Sequence, residues 1–157
     1  MKWNKPPVDA EEVKRLSGRY GTDLLTAAIL HRRGVTRAEE MPYYLENDLR
    51  YLHDPFLFAD MSDVVERIEQ AVRETERVLV FGDRDVDGIT STAVMVDTLR
   101  GRGLEVQWRV PEGDSTYGLT MEVVETFASQ SGTLLITVDC GITNTEEITA
   151  AMQLGID

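Results

Sequence analysis

The sequence predicts an α/β fold, a parallel sheet flanked by helices, preceded by a helical N-terminal segment. Three observations carry this. From residue 62 onward, short apolar runs alternate with stretches of helical periodicity, the pattern of parallel strands joined by crossover helices. Two of the runs, Val78-Leu79-Val80-Phe81 and Leu134-Leu135-Ile136-Thr137-Val138, are nearly all apolar, which suits strands covered on both faces. Before residue 60 the apolar residues fall at helical spacing and no strand pattern occurs. Residues 1–60 are therefore expected to form the helical segment and 61–157 the α/β part.

Element by element, Met1-Lys2-Trp3-Asn4-Lys5-Pro6-Pro7 lacks the apolar region of a signal peptide. Val13, Leu16 and Tyr20 mark a first helix. Thr22 is expected to cap a second, carrying Leu24, Leu25, Ala28 and Ile29 and stopped by Gly34. Thr36-Arg37-Ala38-Glu39 has the form of a capping box. Pro42, Tyr43-Tyr44-Leu45 and the stretch from Leu49 to Phe56 read as an irregular aromatic segment. Ser62 is expected to cap a helix with Val64, Val65, Ile68 and Val72 on one face. Strands are then expected at 77–82, 104–110 and 133–139, and helices at 89–100, ended by Gly101, and at 119–130 and 144–154, stopped by Gly155. Gly155-Ile156-Asp157 reads as the approach to another strand, so the chain is expected to be cut from a longer one.

The bulk properties narrow the classes. The chain has 157 residues, 42% of them hydrophobic and 28% charged, enough for an ordinary core. No run of 18 uncharged apolar residues occurs, so no membrane helix is expected. A single cysteine, Cys140, cannot close an internal disulfide, and the expected location is the reducing cytoplasm. Net charge is −12, which argues against a polyanionic partner. The distribution is uneven: all 16 Lys and Arg lie at or before Arg109, and eight acids follow Val110 with no basic residue. Either the substrate is not a polyanion, or the basic surface lies on chain beyond these residues.

Chemistry concentrates at the end of the 77–82 strand, where Asp83, Asp85 and Asp87 alternate before Gly88. In an extended stretch these three point the same way. Asp139 ends the 133–139 strand. Loops that follow parallel strands emerge on one edge, where ligand sites of open α/β sheets lie. Clustered carboxylates repel one another and call for a cation; oxygen donors without thiolates favour Mg²⁺ or Mn²⁺. Such ions, often paired, clamp phosphoryl oxygens and activate water. The helix following Gly88 offers free N–H groups suited to phosphate, with the hydroxyls of Thr90, Ser91 and Thr92 nearby. The loop from Pro111 to Gly118 opens on the same edge and carries Tyr117, suited to stacking on a base or meeting a phosphate; its composition also makes a plain turn.

Other motifs fit less well. Asp-x-Asp-x-Asp-Gly also opens an EF-hand, but the twelfth position is Val94 and a strand, not a helix, precedes it. Gly82 and Gly88 do not make a dinucleotide fingerprint. An aspartyl-phosphate phosphatase of the haloacid dehalogenase type needs a later lysine; none follows Lys14, and that reading stays open only because the chain is expected to be cut from a longer one. Cys140 is expected to pack in the core. His31 and His53 lack metal-ligand spacing with the acids and are read as structural.

The stretch Val80-Phe81-Gly82-Asp83-Arg84-Asp85-Val86-Asp87-Gly88-Ile89-Thr90-Ser91 resembles the DHH phosphoesterase superfamily, and within it the RecJ-like branch of single-stranded-DNA-specific exonucleases. Leu24-Leu25 to Arg33-Gly34-Val35 is similar to that branch's helical prefix. Leu52-His53-Asp54-Pro55-Phe56 is similar to its approach to the first motif, and Thr137-Val138-Asp139-Cys140-Gly141-Ile142 to its later carboxylate motif. The resemblance runs from about residue 22 to 157. It implies a three-layer domain of the DHH type and metal ligation by Asp83, Asp85 and Asp139, with Asp87 in support and two Mn²⁺ or Mg²⁺ ions in the full-length enzyme. Thr90, Ser91, Tyr117 and Gly118 are read as candidate substrate-binding residues. The implied activity is 5′-to-3′ digestion of single-stranded DNA in repair and recombination, with a single-strand-binding protein or helicase as protein partner and no membrane. The alternatives are a phosphoesterase acting on small nucleotides and a non-catalytic scaffold. The Asp-His-His motif that names the superfamily is expected beyond residue 157, so this chain alone is expected to be inactive. Arg84 stands where the family usually has an aromatic residue, and the 111–118 loop lacks the arginine often found before its Tyr-Gly-Leu.

Overall fold

The computed structural model describes residues 7–113 and 115–157. The reading of the first six residues and Asp114 of the 111–118 loop lie outside the described residues. The chain divides into two compact units, one ending at Leu57 and the other running Phe58–Asp157.

The first unit contains α1 (Ala10–Tyr20), α2 (Leu24–Arg32) and α3 (Met41–Leu45), followed by short 3-10 turns at Leu49–Tyr51 and Pro55–Leu57. Asp9 caps α1 by accepting from the amides of Glu11 and Glu12. Asp23, not Thr22, caps α2, because its carboxylate accepts from both Leu25 and Thr26. Gly34 then takes a positive φ of 74° beyond the last turn, as a helix stop requires. The buried face of α2 is Ala27 and Leu30, while Leu24, Leu25 and Ile29 are exposed. Ala27 and Leu30 join Val13, Leu16, Val35 and Met41 in one small core. Of the expected face, only Ala28 packs against this core, and partly. The capping-box sequence forms no helix start: Arg37 to Glu40 is a turn, and α3 begins at Met41 with Pro42 in its first turn. There its missing N–H costs nothing. Tyr43 stacks on His53 at 5.6 Å between ring centroids and meets Tyr51 edge-on.

The second unit is the α/β part: α4 (Met61–Glu74), β1 (Arg77–Gly82), α5 (Val86–Gly101), β2 (Glu105–Arg109), α6 (Met121–Ser129), β3 (Leu134–Val138) and α7 (Thr145–Gln153). The sheet order is β2-β1-β3 and both pairings are parallel. Alternation along β1 assigns its side chains to two cores. Val78 and Val80 pack with Ala71 of α4 and Val96 and Leu99 of α5. Leu79 and Phe81 pack on the other face with Val124 and Phe127 of α6 and Ala151 of α7. These are three layers with β1 at the centre, each buried aliphatic contributing about 1.5–3 kcal/mol. Two local expectations fail. The N-cap position of α4 is Asp60 and Ser62 lies inside the helix. Only Ile68 and Val72 of its expected apolar face reach the core, Val64 and Val65 being exposed. None of the described helices is long and apolar enough to cross a membrane.

Candidate metal centre

The parallel register creates the site. Gly82 pairs with Val138, so Asp83 and Asp139 leave adjacent strands side by side, at the roughly 4.8 Å spacing of paired strands. Asp85 follows at the N-terminus of α5. One carboxylate oxygen from each of Asp83, Asp85 and Asp139 lies within 4.8 Å of the other two. Asp83 is buried, 8% exposed, and its Oδ1 accepts from the Arg84 amide at 2.7 Å. Asp85 caps α5, its Oδ1 accepting from the Gly88 amide at 3.0 Å. Asp139 takes a left-handed φ of 59°, a conformation that Asp and Asn tolerate better than other non-glycine residues.

Asp87 does not share the alternation expected of an extended run. The helix begins at Val86, so Asp87 lies in its first turn and outside the three-carboxylate group. Its charge still reaches Asp139. Partial desolvation, then the carboxylates of Asp85, Asp87 and Asp83, raise the Asp139 carboxyl above its ordinary value. Negative charge gathered around Asp139 in this way makes a donor set that a divalent cation would relieve.

Glycines set how closely the layers approach. A Cβ on Gly88 would overlap the backbone of Asp83, and one on Gly82 would overlap Thr92 Oγ1. α5 can therefore start directly against the β1 end only because both positions are glycine. Thr92 is buried, and its hydroxyl has no hydrogen-bond partner among the described residues.

The remaining expected contacts are distributed around this group. Thr90 Oγ1 donates to Val86 O and Ser91 Oγ to Asp87 O, both at 2.7 Å, so these hydroxyl protons are committed to the helix backbone. The Tyr117 hydroxyl donates to Asp139 O at 3.4 Å. Desolvation, then the charges of Asp83, Cys140, Asp139 and Asp85, raise its phenol above the ordinary value. Gly118 is buried with φ 85°, against the Asn144 side chain. Cys140 is half-buried beside the α6/α7 core. Burial and the charges of Asp83 and Asp139 raise its thiol, which leaves it a poor thiolate ligand.

Asn144 went unnoticed in the sequence. Its side-chain amide donates to Leu119 O at 2.9 Å and accepts from Leu119 N at 3.2 Å. It thereby joins the end of the 111–118 loop to the start of α7. The only local signal was an Asn at a helix start, which reads as a cap; here the side chain makes no cap bond. A cleft of about 630 Å³ lies along β2 and α6, lined by Trp108, Arg109, Glu112 and Phe127 among others. None of the three acids lines it.

Residues 77–157 match the DHH family, N-terminal domain. The single-stranded-DNA-specific exonuclease RecJ of Bacillus subtilis (strain 168) is 32% identical over 158 residues, covering 100% of this chain and 20% of the relative. RecJ of Dickeya dadantii (strain 3937) is 39% identical over 127 residues, 80% of this chain and 21% of the relative. The chain thus spans about one fifth of the length of these curated relatives. Among solved structures, RecJ in complex with Mn²⁺ from Thermus thermophilus superposes with TM-score 0.62 at 28% identity, over 97% of this chain and 20% of that one. An exonuclease RecJ bound to manganese superposes with TM-score 0.56 at 35% identity, over 60% of this chain and 25% of that one.

Proposed function

The chain belongs to the DHH family, and on that footing we propose that it forms the metal-binding strand ends of a phosphodiesterase, a 5′-to-3′ exonuclease acting on single-stranded DNA in cytoplasmic DNA repair and recombination. The observation that carries this is the convergence of Asp83, Asp85 and Asp139 within 4.8 Å at the end of a parallel sheet. The relatives named for single-stranded DNA and the manganese-bound neighbours point the same way.

Asp83, Asp85 and Asp139 would hold Mn²⁺ or Mg²⁺, two ions in the full-length enzyme, and three convergent carboxylates without a thiolate fit such hard cations. Bound there, the metal supplies Lewis acidity toward the phosphoryl oxygens and lowers the pKa of attacking water. The residues do the rest. Asp83 is fixed by the Arg84 amide and Asp85 by the Gly88 amide, so their remaining oxygens are preorganised. Asp87 adds negative charge without joining the group. The N-terminus of α5 favours a phosphate, with Thr90 and Ser91 on its first turns, and Tyr117, next to Gly118, lies beside Asp139.

The test is cleavage of 5′-labelled single-stranded DNA by the full-length protein with Mn²⁺, beside its Asp139→Ala variant. The variant is expected to lose at least about a hundredfold in rate. Equal cleavage by both would sink the ligand assignment. Turnover of dinucleotides without attack on DNA would mark a small-nucleotide phosphoesterase, and silence on both substrates a scaffold. The 157-residue chain by itself is expected to show no processive digestion.

A further inference from the structure

Arg84 is the only Lys or Arg in the three segments that follow the strands, 83–90, 110–120 and 139–144. It stands between Asp83 and Asp85, yet its guanidinium reaches away along the sheet edge. Nη1 donates to Gly113 O at 2.8 Å and to Ser115 O at 3.4 Å. The loop it grips is held at two further points, Tyr117 to Asp139 O and Leu119 to the Asn144 amide. The far end of the loop is thus tied to β3 and α7, and the near end to β1 through Arg84 alone among the side-chain bonds of the described residues. A cation between two acids of the cluster, spending its donors on neutral carbonyls 29 and 31 residues away, has a mechanical consequence: the acids and the loop keep one relative placement.

We propose that Arg84 is a positioning residue that latches the 111–118 loop to the β1 end and so holds Tyr117 beside the three acids, where a phosphodiester would lie. The role in turnover rests on the phosphodiesterase reading above; the latch itself does not. The two hydrogens of Nη1, fixed in the guanidinium plane, can serve both carbonyls at once, whereas an ammonium on a flexible stem holds them less rigidly. Arg84→Lys should therefore retain part of the effect and Arg84→Ala none.

Three measurements on the full-length protein decide it. In hydrogen–deuterium exchange, Arg84→Ala should speed exchange of amides 115–119 about tenfold, the size expected for losing a charge-assisted hydrogen bond at an exposed site, with Arg84→Lys in between. Protection of β1 and β3 should stay at the wild-type level. Unchanged loop exchange, or loosening of the whole domain alike, would overturn the latch. In steady-state cleavage, Arg84→Ala should raise KM for single-stranded DNA about tenfold while Mn²⁺ affinity measured by calorimetry holds; a parallel loss of Mn²⁺ affinity would mean that Arg84 acts on the acids instead. Tyr117→Ala should raise KM similarly, and the double variant no further; fully additive effects would overturn a shared role. If the wild type cleaves no DNA, the functional reading fails while the exchange measurement still decides the latch.

Discussion

Asp139 unites a conformational demand with a chemical one. Its φ of 59° costs most L-residues of order 1 kcal/mol, and Asn and Asp less. Asp139→Asn should therefore leave the melting temperature unchanged or slightly raised in the metal-free protein, while Asp139→Ala lowers stability by about 1 kcal/mol; both should lose metal affinity. The pH dependence has a definite sign. A carboxyl raised above its unfolded value is bound more tightly by protons in the folded state, so its contribution to stability is present at low pH. It is lost as pH climbs from the ordinary carboxylate range, about 4, through the raised folded value. Urea titrations of metal-free wild type should show that decline, and Asp139→Asn should remove part of it. Gly88 makes an equally local prediction: a Cβ there meets Asp83 backbone, which has no room to yield, so Gly88→Ala should cost about 1–3 kcal/mol in denaturant unfolding and weaken Mn²⁺ binding with it. The acids were legible in the sequence because crowded carboxylates carry their own chemical signal. Gly88, Thr92 and Asn144 were not, because what each touches is distant in the chain or set by a close approach that composition does not record.

At the level of elements, strand positions were legible to within a residue, since a doubly covered parallel strand writes itself as a short unbroken apolar run. Helix starts were less so. Thr22 and Ser62 are good capping residues in isolation, but Asp23 and Asp60 occupy the cap positions, and the box at Thr36 is a turn. The largest effect is on α5, whose start at Val86 turns Asp87 out of the expected row because Asp85 spends an oxygen on the Gly88 amide. Another feature was invisible to local patterns. Arg67 of α4 makes a two-pronged bond to Glu76 just before β1, at 2.9 and 3.0 Å, and reaches Asp157 at 2.9 Å, while Thr133 Oγ1 donates to Glu76 as well. The Arg67 guanidinium, and then Thr133, hold the Glu76 carboxyl below its ordinary value. Its stabilising contribution is therefore complete above the unfolded carboxylate range and fades as pH falls through the lowered folded value. Glu76→Gln should cost about 1–3 kcal/mol at neutral pH, and the gap from wild type should close in acid; a gap that persists unchanged at low pH would contradict the ionic origin.

For the whole molecule, the charge distribution predicts behaviour that the acidic cluster does not. With a net charge of −12 and no basic residue after Arg109, the 157-residue chain should not retard single-stranded DNA in a mobility-shift assay at about 0.15 M salt, where phosphate contacts dominate affinity. Clear binding by the chain alone would contradict the expectation that the basic surface lies elsewhere. The three-layer α/β architecture was legible from alternation, since a doubly buried β1 requires helices on both sides. The buried face of α2 and the exposure of Val64 and Val65 were not, because periodicity marks a stripe but not which neighbour covers it. The register that pairs Gly82 with Val138 has a last consequence, for how such a chain can drift over generations. Because two carboxylates are brought abreast by counting residues along neighbouring strands, gain or loss of one codon within Leu134–Val138 would carry Asp139 past its partner and reverse the facing of every side chain beyond the lesion. A codon added in the 130–133 connection would leave that count intact. Lineages of this chain should therefore vary in length between strands and hold it fixed within them.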